Sequence, residues 1–117
     1  MRDHRKLKAF ELADAIVDVI YKATREFPQE ELYGLAAQMR KAAISVPSNI
    51  VEGCARGSQA DFVRFLYIAF GSLRELHYQL GLSKRLGFLA ERDFSAIEPK
   101  IVEAEKVLNG LIVSLRE

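Results

Sequence analysis

Hydrophobic positions recur with helical spacing in four separate segments of the chain, and polar positions fill the opposite faces of those segments. The first segment runs from about residue 4 to 26. Its main apolar strip consists of Phe10, Ala13, Val17, Ile20 and Thr24. The segment ends at Glu26-Phe27-Pro28, because the residue before a proline is disfavoured in helical geometry. The pattern therefore predicts a long first helix with one buried side.

The second segment, residues 29 to 56, contains a proline but keeps its periodicity. Its apolar strip is Leu32, Leu35, Met39, Ala42, Val46, Ile50 and Gly53. On a second strip, Ser45, Asn49, Glu52 and Arg56 keep a 4, 3, 4 spacing across Pro47. A loop has no reason to preserve this register, so we predict one helix kinked at Pro47. The ring disrupts the bond to the Ala43 carbonyl, at about 3 kcal/mol.

The third segment is predicted to be a helix from about residue 59 to 86. Gly57 ends the preceding helix, and Ser58 with Asp61 forms the pattern of a capping box. The core face comprises Phe62, Phe65, Leu66, Ala69, Leu73, Leu76 and Leu80. Val63, Ile68, Phe70 and Leu82 extend the apolar surface beyond what one bundle core consumes.

The fourth segment follows a predicted stop at Gly87 and begins between about residues 90 and 95. Its apolar positions alternate by three and four, which is typical of a bundle seam. They are Phe94, Ile97, Ile101, Ala104, Leu108, Leu111 and Leu115. Pro99 falls on the side away from this seam. Glu98, Glu103 and Glu105 are expected to point outward as a solvated face.

Four helices with short connections predict an all-α fold, an antiparallel up-down-up-down four-helix bundle that forms a single domain over residues 1 to 117. A helical hairpin that dimerises into a larger bundle is the competing architecture. The surplus apolar surface of the second and third helices predicts self-association in either case, because soluble monomers rarely expose large apolar patches.

Charge and cysteine content limit the kinds of partner and the cellular compartment that we expect for the protein. A formal net charge of +1 lacks the strong positive field of proteins that bind nucleic acid mainly through phosphates. The single cysteine, Cys54, cannot form an intrachain disulfide and suits a reducing compartment. The sequence shows no signal-peptide or membrane-spanning pattern. We therefore expect a cytoplasmic protein without a membrane partner.

Two polar strips are the candidate functional sites. The strip on the second helix consists of Gln38, Ser45, Asn49, Glu52 and Arg56. It is compatible with binding a ligand or partner, but a structural or interface role is favoured. Glu52 and Arg56 form a favourable i, i+4 pair, and Asn49 is placed to satisfy backbone groups near the kink.

The strip on the third helix combines cations and aromatic rings: Arg64, Tyr67, Arg74, Tyr78 and Arg85. Such side chains stack on unpaired bases and hold phosphates, but they are equally enriched in subunit interfaces. Contact with RNA, a subunit interface and a plain solvated face all stay open. A cluster of four N-terminal cations adds weak support for an anionic partner. It consists of Arg2, Arg5, Lys6 and Lys8.

No catalytic residue, metal site or cofactor is predicted. His4 and His77 have no second ligand at metal-binding spacing on the same helical face, and Cys54 has no histidine one turn away. Phosphate-binding loops and nucleophile elbows are absent from the sequence.

The stretches LAAQMRKAAISVPSNIVEGCARGS and FVRFLYIAFGSLRELHYQL resemble the four-helix-bundle family encoded in intervening sequences of bacterial 23S ribosomal RNA genes. The matching positions are Gln38, Met39, Arg40, Ser45, Pro47, Asn49, Ile50, Glu52, Gly53, Arg56, Gly71, Ser72, Leu73, Glu75 and Leu76. The resemblance implies an antiparallel four-helix fold that assembles into a homo-oligomer, a pentameric ring. It implies no established biochemical role.

Two positions depart from the family pattern. Phe70 stands where the family often has arginine, and Val51 where it has alanine. The missing cation at 70 weakens a phosphate-contact interpretation and favours apolar packing. We therefore favour a non-enzymatic, self-assembling scaffold or binding module, with RNA or a ribonucleoprotein as a candidate partner. A dedicated RNA-binding protein and an enzyme with an intersubunit site are the alternatives.

Overall fold

The computed structural model describes residues 2–116 and confirms an all-α fold with four helices. These are α1 (Lys8–Thr24), α2 (Leu35–Cys54), α3 (Gln59–Arg85) and α4 (Glu91–Arg116). Short 3-10 helices at His4–Lys6 and Gln29–Glu31 precede α1 and α2. Within residues 2–116 there is no β-strand.

The sequence signals between α2, α3 and α4 act as predicted. The Ser58 hydroxyl accepts a hydrogen bond from the Asp61 N–H at 3.1 Å, which caps α3. At the other end, Gly87 has a φ of +83°, and the Gly87 N–H donates to the Lys84 carbonyl. The Phe88 N–H donates to the Ser83 carbonyl, completing a Schellman motif in which glycine is favoured.

The predicted start of the second helix was wrong. It was placed at residue 29, but α2 begins at Leu35, because Gly34 has a backbone (φ −106°, ψ −117°) outside the helical region. The Glu31 carboxylate accepts from the Leu35 N–H at 3.0 Å and satisfies the new helix end. Leu32, predicted on the core strip, is consequently 43% exposed. The predicted end also moves inward, from Arg56 to Cys54.

The first helix is also shorter than predicted. Extended backbone at Leu7 (φ −93°, ψ 125°) separates the His4–Lys6 turn from α1, so the regular helix covers Lys8–Thr24 rather than residues 4 to 26. Its fully buried positions are Ala9, Ala13, Ile16, Ile20 and Thr24, while Phe10 and Val17 are half-buried. Ala13, Ile20 and Thr24 lie on the predicted strip, and Ala9 and Ile16 along one edge of it are buried in place of Phe10 and Val17.

Helix α2 continues without interruption through Pro47, as the register of its side chains predicted. Pro47 itself is buried, with Val46 and Ile50 on either side of it fully inside the core. The bend at Pro47 stays a prediction.

One continuous hydrophobic cluster receives side chains from all four helices, with Phe27 and Leu89 closing it near two of the connections. On α4 the predicted seam residues Ile97, Ile101, Ala104 and Leu108 are buried, but Phe94 is only half-buried, and Ile112 replaces Leu111 as the next fully buried residue. Leu111 and Leu115 are half-buried against the cluster. Pro99 is exposed on α4, as expected.

Contacts along α3 and α4 run in opposite order. Lys84 pairs with Glu91 beside the connecting turn at 2.9 Å, and the Gln59 amide donates to the Leu115 carbonyl at the far end at 2.9 Å. Between them, Arg74 pairs with Glu105. This is the order expected for antiparallel neighbours, and it brings the middle of α3 against the middle of α4.

Candidate functional site

The polar strip of α2 is hydrogen-bonded where it passes Pro47. The Ser45 hydroxyl lies 2.8 Å from the Ser72 hydroxyl of α3. The Asn49 side-chain amide donates to the Ser45 carbonyl at 2.8 Å and to the Ser45 hydroxyl at 3.0 Å. Asn49 therefore satisfies a backbone group near the proline, as predicted, and Ser45 joins the two helices.

The C-terminal end of the strip is separate from this cluster. Glu52 forms the predicted i, i+4 ion pair with Arg56 at 2.7 Å, and the Arg56 guanidinium also lies over the Phe65 ring, 4.7 Å from its centroid. Gln38 is exposed, and it lines a small notch of about 170 Å³ together with Ser45 and Ser72. At 1.5 Å rise per residue, Gln38 and Arg56 are about 27 Å apart along the axis. The strip is therefore a series of local contacts rather than one pocket.

Large aliphatic side chains are exposed beside this strip. On the outer side of α2, Ile44 is 42% exposed and Val51 is 37% exposed. Ser48, which lies one helical turn from each of them, is also exposed. Ile68 of α3 is 42% exposed, on the turn before Ser72. We call Ile44, Ser48 and Val51 of α2, together with Ile68 of α3, the α2–α3 face. Tyr67 and Tyr78 are exposed on the side of α3 toward α4, where Tyr67 meets Arg116 and Tyr78 is one turn from Arg74.

The surplus apolar surface predicted for the third helix is only partly exposed. Ile68 is exposed, but Val63 and Phe70 pack against the core cluster and Leu82 is half-buried.

Two of the three arginines in the basic and aromatic strip of α3 form ion pairs within the chain. Arg64 pairs with Asp61 at 3.4 Å and lies over the Phe65 ring, and Arg74 pairs with Glu105 at 3.2 Å. The Tyr67 hydroxyl accepts from Arg116. Tyr78 and Arg85 are exposed. Two of the three predicted phosphate ligands on α3 therefore already hold carboxylates.

Three of the four N-terminal cations are similarly occupied. Arg5 pairs with Asp3 at 3.0 Å, and Lys8 pairs with Glu11 at 3.5 Å. Arg2 donates to the Arg56 carbonyl at 3.0 Å and lies over the Phe62 ring. These contacts reduce the support that this cluster gives to an anionic partner.

The expectation that Glu98 and Glu105 point outward was wrong. His77 of α3 lies between them: its Nδ1 is 2.9 Å from Glu105 Oε2, and its Nε2 is 2.9 Å from Glu98 Oε2. Arg74 Nη1 contacts the same Glu105 oxygen at 3.2 Å. Glu105 is 7% exposed. Of the three glutamates predicted to point outward, Glu103 alone is exposed as expected, with Glu98 half-buried.

A sequence signal for this network existed. Glu98 and Glu105 are seven residues apart and so share a face of α4, and Arg74 and His77 are three apart and share a face of α3. The two pairs lie on different helices, so the pattern of either helix alone does not show that they meet. Burial lowers the pKa of His77, but the hydrogen bonds with Glu98 and Glu105 outweigh it, and the pKa is raised above its usual 6.5.

No group of three His, Cys, Asp or Glu side chains within residues 2–116 is arranged to hold a metal ion. In the His77 network the two carboxylates contact opposite ring nitrogens, so they do not converge on one point. Cys54 is buried, and burial raises the pKa of its thiol, which makes it a poor nucleophile. In the described part of the chain, no helix has the length and apolarity needed to cross a membrane.

Comparison with known proteins points to one family. Residues 5–110 match the sequence profile described as 23S rRNA-intervening sequence protein. A crystal structure at 1.70 Å of a protein of unknown function from Bacteroides thetaiotaomicron VPI-5482, from the S23 ribosomal protein family, is similar to this chain. The two are 28% identical with a TM-score of 0.74, over 90% of this chain and 94% of the other. Among proteins with curated descriptions, none matches.

Proposed function

This chain belongs to the 23S rRNA-intervening sequence protein family, and we propose that it is a non-enzymatic scaffold or binding protein that assembles with copies of itself through the α2–α3 face. The observation that carries this proposal is the set of exposed aliphatic side chains on that face. Ile44, Val51 and Ile68 are each more than one third exposed. Covering such side chains stabilises association by about 25 cal/mol per Å² of apolar surface.

The polar groups beside the α2–α3 face also favour self-association. Ser45, Ser72 and Asn49 bond to one another inside the chain, so a partner can cover them without leaving buried polar groups unsatisfied. The pentameric ring implied by the family resemblance is the assembly we propose, in the cytoplasm, where the buried thiol of Cys54 stays reduced.

The test is the mass of the assembly in solution. Ile44→Lys and Ile68→Lys each place a charge in the face, and light scattering coupled to size exclusion is expected to show a smaller particle than for the wild type. Leu86→Lys is the matched control, because Leu86 is 53% exposed but caps the C-terminal end of α3, about 27 Å along the axis from Ile68. A monomeric wild type, or face variants that keep the full mass, would refute the proposal.

A dedicated RNA-binding role receives less support. Arg64 and Arg74 already hold carboxylates, and the net charge is only +1. If the strip binds RNA, affinity for a single-stranded RNA falls steeply as salt rises, and Arg85→Ala reduces that slope by about one released counterion. We expect no such steep dependence for this protein.

An intersubunit enzyme is the remaining alternative. It requires titratable or nucleophilic groups at the face with room for a substrate. On the α2 strip, Ser45 and Asn49 are bonded to each other and Glu52 to Arg56. We therefore favour a non-enzymatic role.

A further inference from the structure

His77 makes two contacts that a neutral imidazole cannot make together. Both ring nitrogens lie 2.9 Å from a carboxylate oxygen, Nδ1 from Glu105 and Nε2 from Glu98. An ionised carboxylate only accepts hydrogen bonds, and a neutral imidazole has one N–H. Both contacts are favourable when the ring is an imidazolium, which donates from both nitrogens.

The charges around the ring balance in that state. From α4, Glu98 and Glu105 face it, and from its own helix Arg74 contacts the Glu105 oxygen. Within residues 2–116, α1 and α2 place no side chain in hydrogen-bond or ion-pair contact with the ring. Two cations thus meet two anions across the junction of α3 and α4.

We propose that His77 is a proton-controlled clamp: as an imidazolium it ties α3 to two positions of α4, Glu98 and Glu105, and on losing its proton it releases one of them. The two carboxylates differ in how readily they can move away from the ring. The Glu105 side chain is only 9% exposed and is also held by Arg74, whereas the Glu98 side chain is 39% exposed and can be hydrated. The neutral ring therefore keeps its N–H toward Glu105, and the contact with Glu98 opens.

The sign of the pH dependence follows from the direction of the pKa. Hydrogen bonding to both carboxylates raises the pKa of His77 in the folded chain above the usual 6.5, against the opposing effect of burial. The clamp therefore contributes its full stabilisation below pH 6.5, and the contribution is lost as the pH rises through the higher, folded-state pKa.

The direct test is proton NMR titration of the imidazole. The chain has two histidines, so His4→Gln leaves His77 as the single titrating ring. The expected pKa is above 6.5, and adding Glu98→Gln lowers it, because the neutral amide no longer favours the charged ring. A pKa at or below 6.5, or one that Glu98→Gln leaves unchanged, would overturn the proposal.

A second measurement reports on the clamp itself. The midpoint of urea unfolding is expected to fall between about pH 6 and about pH 9 in the wild type and in His4→Gln, and to fall less in His77→Gln. If His77→Gln loses as much over this range as the wild type does, the clamp is refuted. Because His4→Gln removes only the other imidazole, its profile separates the two histidines.

Discussion

Gly53 of α2 packs against Phe65 of α3 so closely that a β-carbon added at Gly53 lies 2.9 Å from the Phe65 Cβ and 3.2 Å from the Phe62 carbonyl oxygen. Both atoms belong to, or are attached directly to, the α3 backbone, so neither can rotate aside. Glycine at this position therefore sets how near the two helices approach.

Gly53→Ala is expected to destabilise the protein by up to about 2 kcal/mol, because overpacking at fixed backbone costs about 1–3 kcal/mol and helix propensity returns about 1 kcal/mol. Gly110→Ala is the matched control. Gly110 is also helical, but nothing lies within 4 Å of its added β-carbon, so only the propensity gain applies and stability rises. Urea unfolding followed by circular dichroism measures whether each variant is more or less stable than the wild type. A stabilised Gly53→Ala would contradict the close packing of Gly53 against α3.

Asn49 is expected to act as a donor. Asn49→Ala removes the bonds to the Ser45 carbonyl and hydroxyl and costs about 1 kcal/mol. Asn49→Asp is expected to cost more, because an ionised carboxylate would face the Ser45 carbonyl with no hydrogen to donate. Unfolding free energies at neutral pH check the order. Equal losses in the two variants would show that the donated bonds are unimportant.

Cys54 is expected to resist thiol reagents in the folded chain, because it is 1% exposed and burial raises the pKa of its thiol. The Arg2 N–H donates to the Cys54 carbonyl at 3.4 Å, and the Arg2 side chain bonds to the Arg56 carbonyl nearby. Arg2→Ala therefore increases the labelling rate, by up to about tenfold for the loss of one bond. The labelling rate in Arg5→Ala serves as the control, because Arg5 pairs with Asp3 instead.

Glu105 and Arg74 are expected to contribute unequally to stability. The Glu105 side chain is 9% exposed and accepts from both His77 and Arg74, whereas the Arg74 side chain is 60% exposed and water can replace its partner. Glu105→Ala is expected to cost about 1–3 kcal/mol and Arg74→Ala less than about 1 kcal/mol. Thermal unfolding of the two variants at one pH measures both losses of stability. A larger loss for Arg74→Ala than for Glu105→Ala would contradict the prediction.

Local signals in the sequence determined the number of helices, the bounds of α3 to within one residue, the start of α4 and the continuity of α2 through Pro47. The Ser58 cap, the stop at Gly87 and the start of α4 near residue 91 all follow from residues within a few positions. The same local arguments placed the start of α2 too early, because Pro28 and two glutamates suit a helix start and the break at Gly34 leaves no periodic signal.

For the candidate site, the sequence predicted the Glu52–Arg56 pair and the role of Asn49, since both involve neighbours on one helix. It did not predict that Arg64 and Arg74 hold carboxylates or that His77 lies between Glu98 and Glu105. Helical periodicity gives each residue its angle around its own axis. How two helices rotate and slide against each other is set by the packing of their whole buried faces, and only the tertiary structure decided that His77 meets two carboxylates on α4.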